Sequence, residues 1–403
     1  MNQKIVDAIV FVICALLAVS TACAEVTGDI DRDRIVSLEE LAGLILDHLD
    51  GYASRPTLAD LRSAAHIHRY YPRTIIDDSA EPVNVTIYRP VKRIIVLHSN
   101  GVEIIRTLNS SDRIIGISKH TADCADFFPQ VSRLPMVGSM TSPDIERIIS
   151  LNPDVVIAYG SHFTRWSKEL ENKLHGSDII LIRLDCYKPE TMTRDVRKLG
   201  HIIEREGEAE EFTGWYLGYL GVINERVGGL TEDEKPRVYI EGYDDYKTYS
   251  RGSGAHQLVE MAGGRNIASG LSGSYTEIDP EWVVVQNPDI IVKVVGTQTG
   301  ALCGYGTDDP AEMRCLRDEI MSRPELADVA AVRDGRVYLI CASGTWTNPK
   351  YLIGLSYLTG WFHPDLFGDL DPEAIHQEYL ERFQGLEYNV SEHGVFVYPE
   401  DDG

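Results

Sequence analysis

At 403 residues the chain is long enough for two domains and an appendage, and its 43% hydrophobic content excludes wholesale disorder. A formal net charge of −24 excludes a phosphate-neutralising nucleic-acid surface and works against an anionic membrane face. Solubility is what that charge favours. The chain then opens with Lys4 and an apolar run, Ile5 to Ala24, broken only by Asp7 and the Ser20-Thr21 pair. Ala22-Cys23-Ala24 offers the small-x-small pattern of a signal peptidase site. A run of this length also suits an uncleaved anchor, and Thr21-Ala22-Cys23 is a weak lipobox with Ser20 where a larger aliphatic is usual. Residues 1–24 are therefore a signal peptide or anchor, and every variant of that reading places the rest of the chain outside the cytoplasm.

Residues 25–70 form a small module of their own. Asp29, Asp31, Asp33, Ser37 and Glu40 fall at loop positions 1, 3, 5, 9 and 12 of a calcium loop, with the Ile35 carbonyl at position 7. Short carboxylates at that spacing converge on a hard cation, and the final Glu can bind through both oxygens. Arg34 stands where the sharp turn normally takes Gly. Leu38 to Leu49 reads as the exiting helix, and Thr57-Leu-Ala-Asp-Leu-Arg echoes it without the acidic cluster. The pair resembles a reduced dockerin module, which implies a bound Ca2+ and a cohesin-like protein partner. The plainer alternative is an acidic cap on an ordinary helix.

Residues 71–90 read as a linker with a strand-like stretch from Pro82 to Pro90. From Val91 onward β and α patterns alternate. Strands are expected at Lys92–Leu97, Arg113–Ile117, Asp154–Ala158 and Ile179–Arg183, with helices at Gly101–Leu108 and Pro143–Leu151 between them. Continuous β-branched strands separated by helices predict a parallel sheet covered on both faces. Residues 190–228 are helical almost throughout, with a kink expected near Gly207. Strand–helix alternation restarts at Arg237–Ile240. The fold class is α/β: two Rossmann-like lobes (91–189 and 229–403) joined by one long helix, behind the N-terminal calcium-loop module.

Five cysteines follow the leader: Cys124, Cys186, Cys303, Cys315 and Cys341. Export permits disulfides. Cys303 with Cys315, flanking a Gly/Asp-rich turn, is the first pairing to expect, and Cys124 with Cys186 the second. No CxxC or Cys/His spacing supports a zinc site. Asn84, Asn109 and Asn389 lie in glycosylation sequons.

An internal repeat ties the lobes together. Glu146, Asn152, Pro153 and Asp154 recur as Glu281, Asn287, Pro288 and Asp289 at a constant offset, each time as a helix ending at Asn-Pro before a buried strand. With Val91-Lys-Arg-Ile-Ile-Val-Leu, Asp112-Arg-Ile-Ile-Gly-Ile, Leu134-Pro-Met-Val-Gly138 and Gly263-Gly-Arg-Asn266-Ile, these residues resemble the helical-backbone (class III) solute-binding proteins that serve iron-siderophore, haem and cobalamin ABC importers. Trp361-Phe-His-Pro-Asp-Leu-Phe to Phe383 is similar to archaeal members. The resemblance implies a receptor, not an enzyme, that binds a metal complex between the lobes and delivers it to a permease and its ATPase. It implies that Glu146 and Glu281, one per lobe, dock on that permease.

The cleft lies beyond the C-terminal ends of the strands. Loops there offer His98, Ser99, Asn100, Lys119, His120, Met140, Thr141, Tyr159, Ser161, His162, Arg165 and Trp166 from the first lobe. The second offers Tyr243, Tyr246, Tyr249, Arg251, Ser274, Tyr275, Thr297, Thr345 and Trp346. Aromatic faces suit a macrocycle or aromatic chelate, arginines its carboxylates, and a histidine an open axial metal position. Two alternatives stay open. A direct receptor for bare zinc or manganese would need three or four converging His/carboxylate ligands. A chelatase-like cleft enzyme has no HExxH, G-x-S-x-G or Walker signature to support it, and no catalytic cofactor is expected.

Overall fold

The structure, a computed structural model, describes residues 25–50, 56–160, 164–296, 299–346 and 349–399. The expected leader, and Ser161, His162 and Thr297 of the expected cleft, lie outside the described residues.

The first lobe is a four-stranded parallel sheet in the order β4–β3–β5–β6, built from β3 (Ile94–Val96), β4 (Ile114–Ile117), β5 (Val155–Ala158) and β6 (Ile180–Arg183). Both faces are covered, which is why the strands carry unbroken apolar runs. Ile94 and Val96 enter the main core, while Ile95 packs on the opposite face with Val156, Ile148 and Leu170. The second lobe centres on parallel strands β7 (Arg237–Glu241), β11 (Ile290–Val295) and β12 (Val337–Cys341). All six residues of β11 are buried. Antiparallel strands β8 (Lys247–Tyr249), β10 (Tyr275–Glu277) and β13 (Val397–Tyr398) extend this sheet, and the short β9 (Arg265–Asn266) pairs beside β7.

The supposed linker is more ordered than expected. β1 (Arg73–Ile76) and β2 (Asn84–Ile87) form an antiparallel hairpin. The connector also differs from a single kinked helix. It is a helix at Met192–Ile202, a break, and then a 22-residue helix at Glu206–Val227. The break comes before Gly207 because Glu204 takes a left-handed φ of 58°. There its carboxylate accepts from Tyr71 Oη at 3.0 Å and meets His66 Nε2 at 2.5 Å. Gly200 lets the two helices cross, since a Cβ on it would stand 2.6 Å from that of Ala209. The long helix spans both lobes: Arg205 Nε at its start donates to Ser110 Oγ at 3.1 Å, and Arg226 near its end pairs with Asp369.

The internal repeat is real in three dimensions. The helices Ile145–Ser150 and Pro280–Gln286 are capped by the Asp144 and Asp279 carboxylates. Asn152 and Asn287 follow in the left-handed region, φ 47° and 44°. Arg93 donates to the carbonyls of Leu151 and Asn152 as Arg237 donates to that of Gln286. Asp154 and Asp289 each bind the backbone N–H of that same arginine.

The N-terminal module rests on this body through His66, whose Nε2 meets Glu204, while Val26 and Val36 are buried and His68 Nδ1 lies 2.7 Å from the Val36 carbonyl within the module. Its second helix, Leu58–Tyr70, starts at a reciprocal cap between Thr57 and Asp60. No helix among the described residues is long and apolar enough to cross a membrane.

Candidate functional site

Strand ends bring the cleft candidates together. After β3, the backbone turns into a helix at Ser99–Thr107 whose cap is the His98 side chain, with Nδ1 accepting from Gly101 N at 2.9 Å. That bond leaves the proton on Nε2, which is buried without a partner. Burial holds the ring neutral by pulling its pKa down to about 3. The His98 ring stacks on Tyr159, which follows β5, at 4.1 Å between centroids, and Asn100 Nδ2 donates to the Tyr159 hydroxyl at 3.0 Å. Gly101 is required here because a Cβ would press into the imidazole at 2.9 Å.

In the second lobe, the antiparallel additions present tyrosines of their own. Tyr249 on β8 sits opposite Tyr275 on β10, with ring centroids 4.7 Å apart. Gly242 makes room for them, since a Cβ there would lie 2.4 Å from the Tyr275 ring. Tyr243 follows β7, and burial first, then nearby Cys341 and Tyr275, push its phenol up to about 12. Two residues absent from the sequence reading join the lobes. Tyr187, beyond β6, packs edge-on to Tyr159 at 5.8 Å, and its carbonyl accepts from the Tyr351 hydroxyl. Burial raises the phenols of Tyr159, Tyr249 and Tyr351, with neighbouring tyrosines adding to the effect on Tyr249 and Tyr351. The result is a tyrosine-rich floor of neutral, half-buried aromatic faces running from one lobe to the other. Tyr187 could have been found by the rule that located Tyr159, since it too follows a strand. Nothing local marks Tyr351.

The remaining candidates are placed less centrally. Lys119 and His120 are exposed on a short helix, Lys119–Asp123, where Lys119 pairs with Asp123 at 2.6 Å. Met140 lies half-buried in the Ser139–Ser142 turn, and Ser99 is half-buried at its helix start. Arg165 and Trp166 are exposed at the start of the helix Thr164–Leu174, and Arg251 is exposed after β8. Thr345 and Trp346 depart from the expected rim. Both are buried, and the Thr345 hydroxyl donates to the Cys341 carbonyl at 2.9 Å. The helix Tyr351–Phe362 lies on top of that turn, with Gly354 approaching the Thr345 carbonyl where a Cβ would stand 2.5 Å away.

Behind the cleft a buried ion pair crosses between the lobes. Lys350 Nζ lies 3.0 Å from Glu103 Oε2, and Tyr379 donates to Glu103 Oε1 at 2.6 Å. Two mapped recesses lie away from the tyrosines. One of about 50 Å³ lies under the N-terminal module beside Val26, Arg34 and Tyr88, and the other is a surface hollow by β1 and His201.

Glu146 and Glu281 occupy equivalent exposed positions in the first turns of the repeated helices. In the N-terminal loop, Asp29, Asp31 and Glu40 offer oxygens within 4.8 Å of one another. Arg34 adopts φ 72°, the left-handed turn for which Gly was expected. Asp33 is turned to the Ile35 amide at 2.7 Å, Ile35 is exposed, and Ser37 Oγ donates to Glu40 at 2.9 Å. Backbone N–H groups of Ser37 and Ile30 hold the Glu40 carboxyl down to about 2. The five described cysteines are all free thiols, so neither the Cys303–Cys315 nor the Cys124–Cys186 disulfide expected from the sequence is formed, and Cys315 is exposed on the helix Ala311–Met321.

Comparison with known proteins is consistent with this geometry. Residues 94–343 match the periplasmic binding protein family. The chain is 24% identical over 305 residues to an uncharacterised substrate-binding lipoprotein of an ABC transporter, YvrC of Bacillus subtilis, covering 74% of this chain and 87% of that one. It is 20% identical over 329 residues to the molybdate-binding protein MolA of Haemophilus influenzae, 75% of this chain and 89% of that one. With the vitamin B12-binding protein of Vibrio campbellii it shares 25% identity over 202 residues, 50% of this chain and 70% of that one. The fold superposes on a TroA-like periplasmic binding protein, FepB of Veillonella parvula, with a TM-score of 0.68 at 22% identity, covering 81% of this chain and 99% of that one.

Proposed function

The chain belongs to the periplasmic binding protein family, and from that premise we propose that it is the extracytoplasmic receptor of an ABC importer, binding a metal complex over the tyrosine floor between its lobes. It is a binding protein and not an enzyme. What supports the choice of ligand class is the His98–Tyr159 stack on one lobe and the Tyr249–Tyr275 pair on the other, with Tyr187 and Tyr351 bridging between the lobes. Flat, neutral aromatic faces suit a chelate or macrocycle. The unpartnered His98 Nε2–H is a buried donor that an acceptor on the ligand would satisfy. A bare divalent ion would need three or more converging ligands. Among the described residues such a set occurs at Asp29, Asp31 and Glu40, far in sequence from the cleft loops. Iron-siderophore, corrinoid and haem all fit this reading. Molybdate, the ligand of one relative, is the oxyanion alternative, for which Arg165, Lys119 and Arg251 are the available cations.

The same reading assigns Glu146 and Glu281 to permease docking, one exposed carboxylate per lobe at repeated positions. It assigns Asp29, Asp31 and Glu40 to calcium, with Asp33, Ser37 and the Ile35 carbonyl completing the set once Asp33 releases its backbone contact. A dockerin-like module of that kind would take a cohesin-like partner.

Tryptophan-fluorescence titration tests the ligand class, with a panel of ferric chelates, haemin, cobalamin, molybdate and bare zinc and manganese salts, corrected for inner-filter absorption. Saturable quenching by one complex, weakened about tenfold (about 1.4 kcal/mol) in Tyr249→Ala, is the expected result. Response to bare divalent salts alone would replace the complex with an ion.

A further inference from the structure

We propose that Cys303 and Cys341 are a reversible disulfide site, which when closed ties the loop after β11 to the end of β12 beside the cleft. The placement follows from the sheet. Val295, the last residue of β11, is the register partner of Cys341, the last residue of β12. The chain then loops back so that Cys303 Sγ stands 3.8 Å from the Val295 carbonyl. Gly304 fixes that return. Its N–H donates to the Val395 carbonyl at 2.6 Å, its carbonyl accepts from Val395 N at 3.2 Å, and its φ is +85°. A Cβ on Gly304 would lie only 3.2 Å from Cys341 Sγ, so the neighbouring thiol is brought onto the same sulfur. The two thiols are close enough to shift each other's proton affinity in opposite directions.

The surroundings also prepare the pair chemically. Cys341 is fully buried, yet its sulfur has Ser343 Oγ at 3.4 Å and the N–H groups of Ser343 and Gly344 directed at it. Burial pushes the Cys341 thiol up, but the Cys303 thiol and these donors outweigh it and bring it down to about 7. The Cys303 thiol is pushed up, first by its bond to Cys341 and then by burial. The pair therefore gives up its first proton more readily than an isolated buried thiol and holds its second more tightly. Cys124 and Cys186 lack this arrangement, since burial raises both, and Cys315 is exposed.

The oxidant is a disulfide compound, RSSR. Cys303 is partly exposed and meets it first. After the pair has released its first proton to solvent, the Cys303 sulfur attacks one sulfur of the oxidant as thiolate while the remaining proton stays on Cys341; the oxidant's S–S bond breaks and the first RS− leaves and is protonated by solvent. Cys341 then gives its proton to solvent, its sulfur attacks the Cys303 sulfur, and the second RS− is expelled and protonated. Two thiols lose two electrons and two protons, and RSSR gains them. An extracytoplasmic receptor works where such oxidants persist. Tyr243 is the cleft residue that would sense the change, because both Cys341 and Cys303 act on its phenol.

The test uses the full chain treated with oxidised glutathione, alkylated, and mapped as peptides without reduction. The expected product is ~2 Da lighter than the thiol form, with the Cys303 and Cys341 peptides joined and Cys315 alkylated. Cys315→Ser should leave the linkage intact, and Cys303→Ser should abolish it. A Cys303–Cys315 link, or full alkylation of both Cys303 and Cys341, would overturn the proposal. Either result leaves the ligand-binding proposal untouched, because the mapping requires no ligand.

Discussion

The two lobes solve the same problem differently. The first is four parallel strands and nothing else, and it presents His98, Asn100 and Tyr159 directly from strand ends. The second has a comparable parallel core but adds antiparallel strands, and it is on these that Tyr249 and Tyr275 meet. The shared core explains the repeat of Glu146 and Glu281. The additions explain why the two walls of the cleft differ. In this molecule the repeated part carries the scaffold, and the unrepeated strands carry the tyrosine pair of the second lobe.

The sharpest way to break that division is to cut the contact joining the lobes. Lys350→Met leaves the Glu103 carboxylate buried, a loss of about 3–5 kcal/mol in urea unfolding. Replacing both partners with apolar residues should recover most of it. An equal loss in the double variant would mean the pair does not act as a unit.

Acid titration probes the lobes separately. Burial holds both His98 in the first lobe and His376 in the second down to about 3. The unfolded chain binds those protons near pH 6.5, so it takes up more protons than the folded one as pH falls from about 6.5 toward 3. Stability therefore drops over that window, at up to about 1.4 kcal/mol per pH unit for each histidine. Thermal midpoints measured from pH 7 to 5 should fall, and His98→Asn should remove part of the slope.

The repeat itself predicts matched costs. Arg93→Ala and Arg237→Ala each remove bonds to the end of the repeated helix, and each should cost about 1 kcal/mol because both arginines are substantially exposed. A large inequality would show that the two copies no longer do the same job. Smallest in stability are Glu146→Arg and Glu281→Arg, expected within about 0.5 kcal/mol of the parent. Ligand affinity should be unchanged in both while uptake through the permease is lost. Normal uptake would remove their docking role.

The sequence disclosed the scaffold because its signals are local. Ile94–Val96 and Val155–Ala158 are apolar runs between turns, Ile290–Val295 is broken only by Lys293, and the Asn-Pro-Asp repeat marks the entry to the last two. It concealed what depends on distant partners. Lys350 and Glu103 are 247 residues apart, and neither carries a mark of burial. Tyr249 meets Tyr275 only through a three-residue strand pair. The helix break falls at Glu204, where His66 of the N-terminal module and Tyr71 just after it reach the carboxylate, and not at Gly207. Thr345 and Trp346 follow a strand like the other candidates, yet the later helix Tyr351–Phe362 covers them. His98 was visible as a strand-end residue, but its stacking on Tyr159 and its orphaned Nε2–H required the structure.

The most direct test of the account is anomalous diffraction from crystals of the protein grown with whichever complex quenches its fluorescence, recorded at the absorption edge of that metal. The account predicts one strong peak between the lobes, with the chelate or macrocycle lying against Tyr159 on one side and Tyr249 or Tyr275 on the other. A metal peak confined to Asp29, Asp31 and Glu40, or one within a single lobe away from those rings, would contradict it.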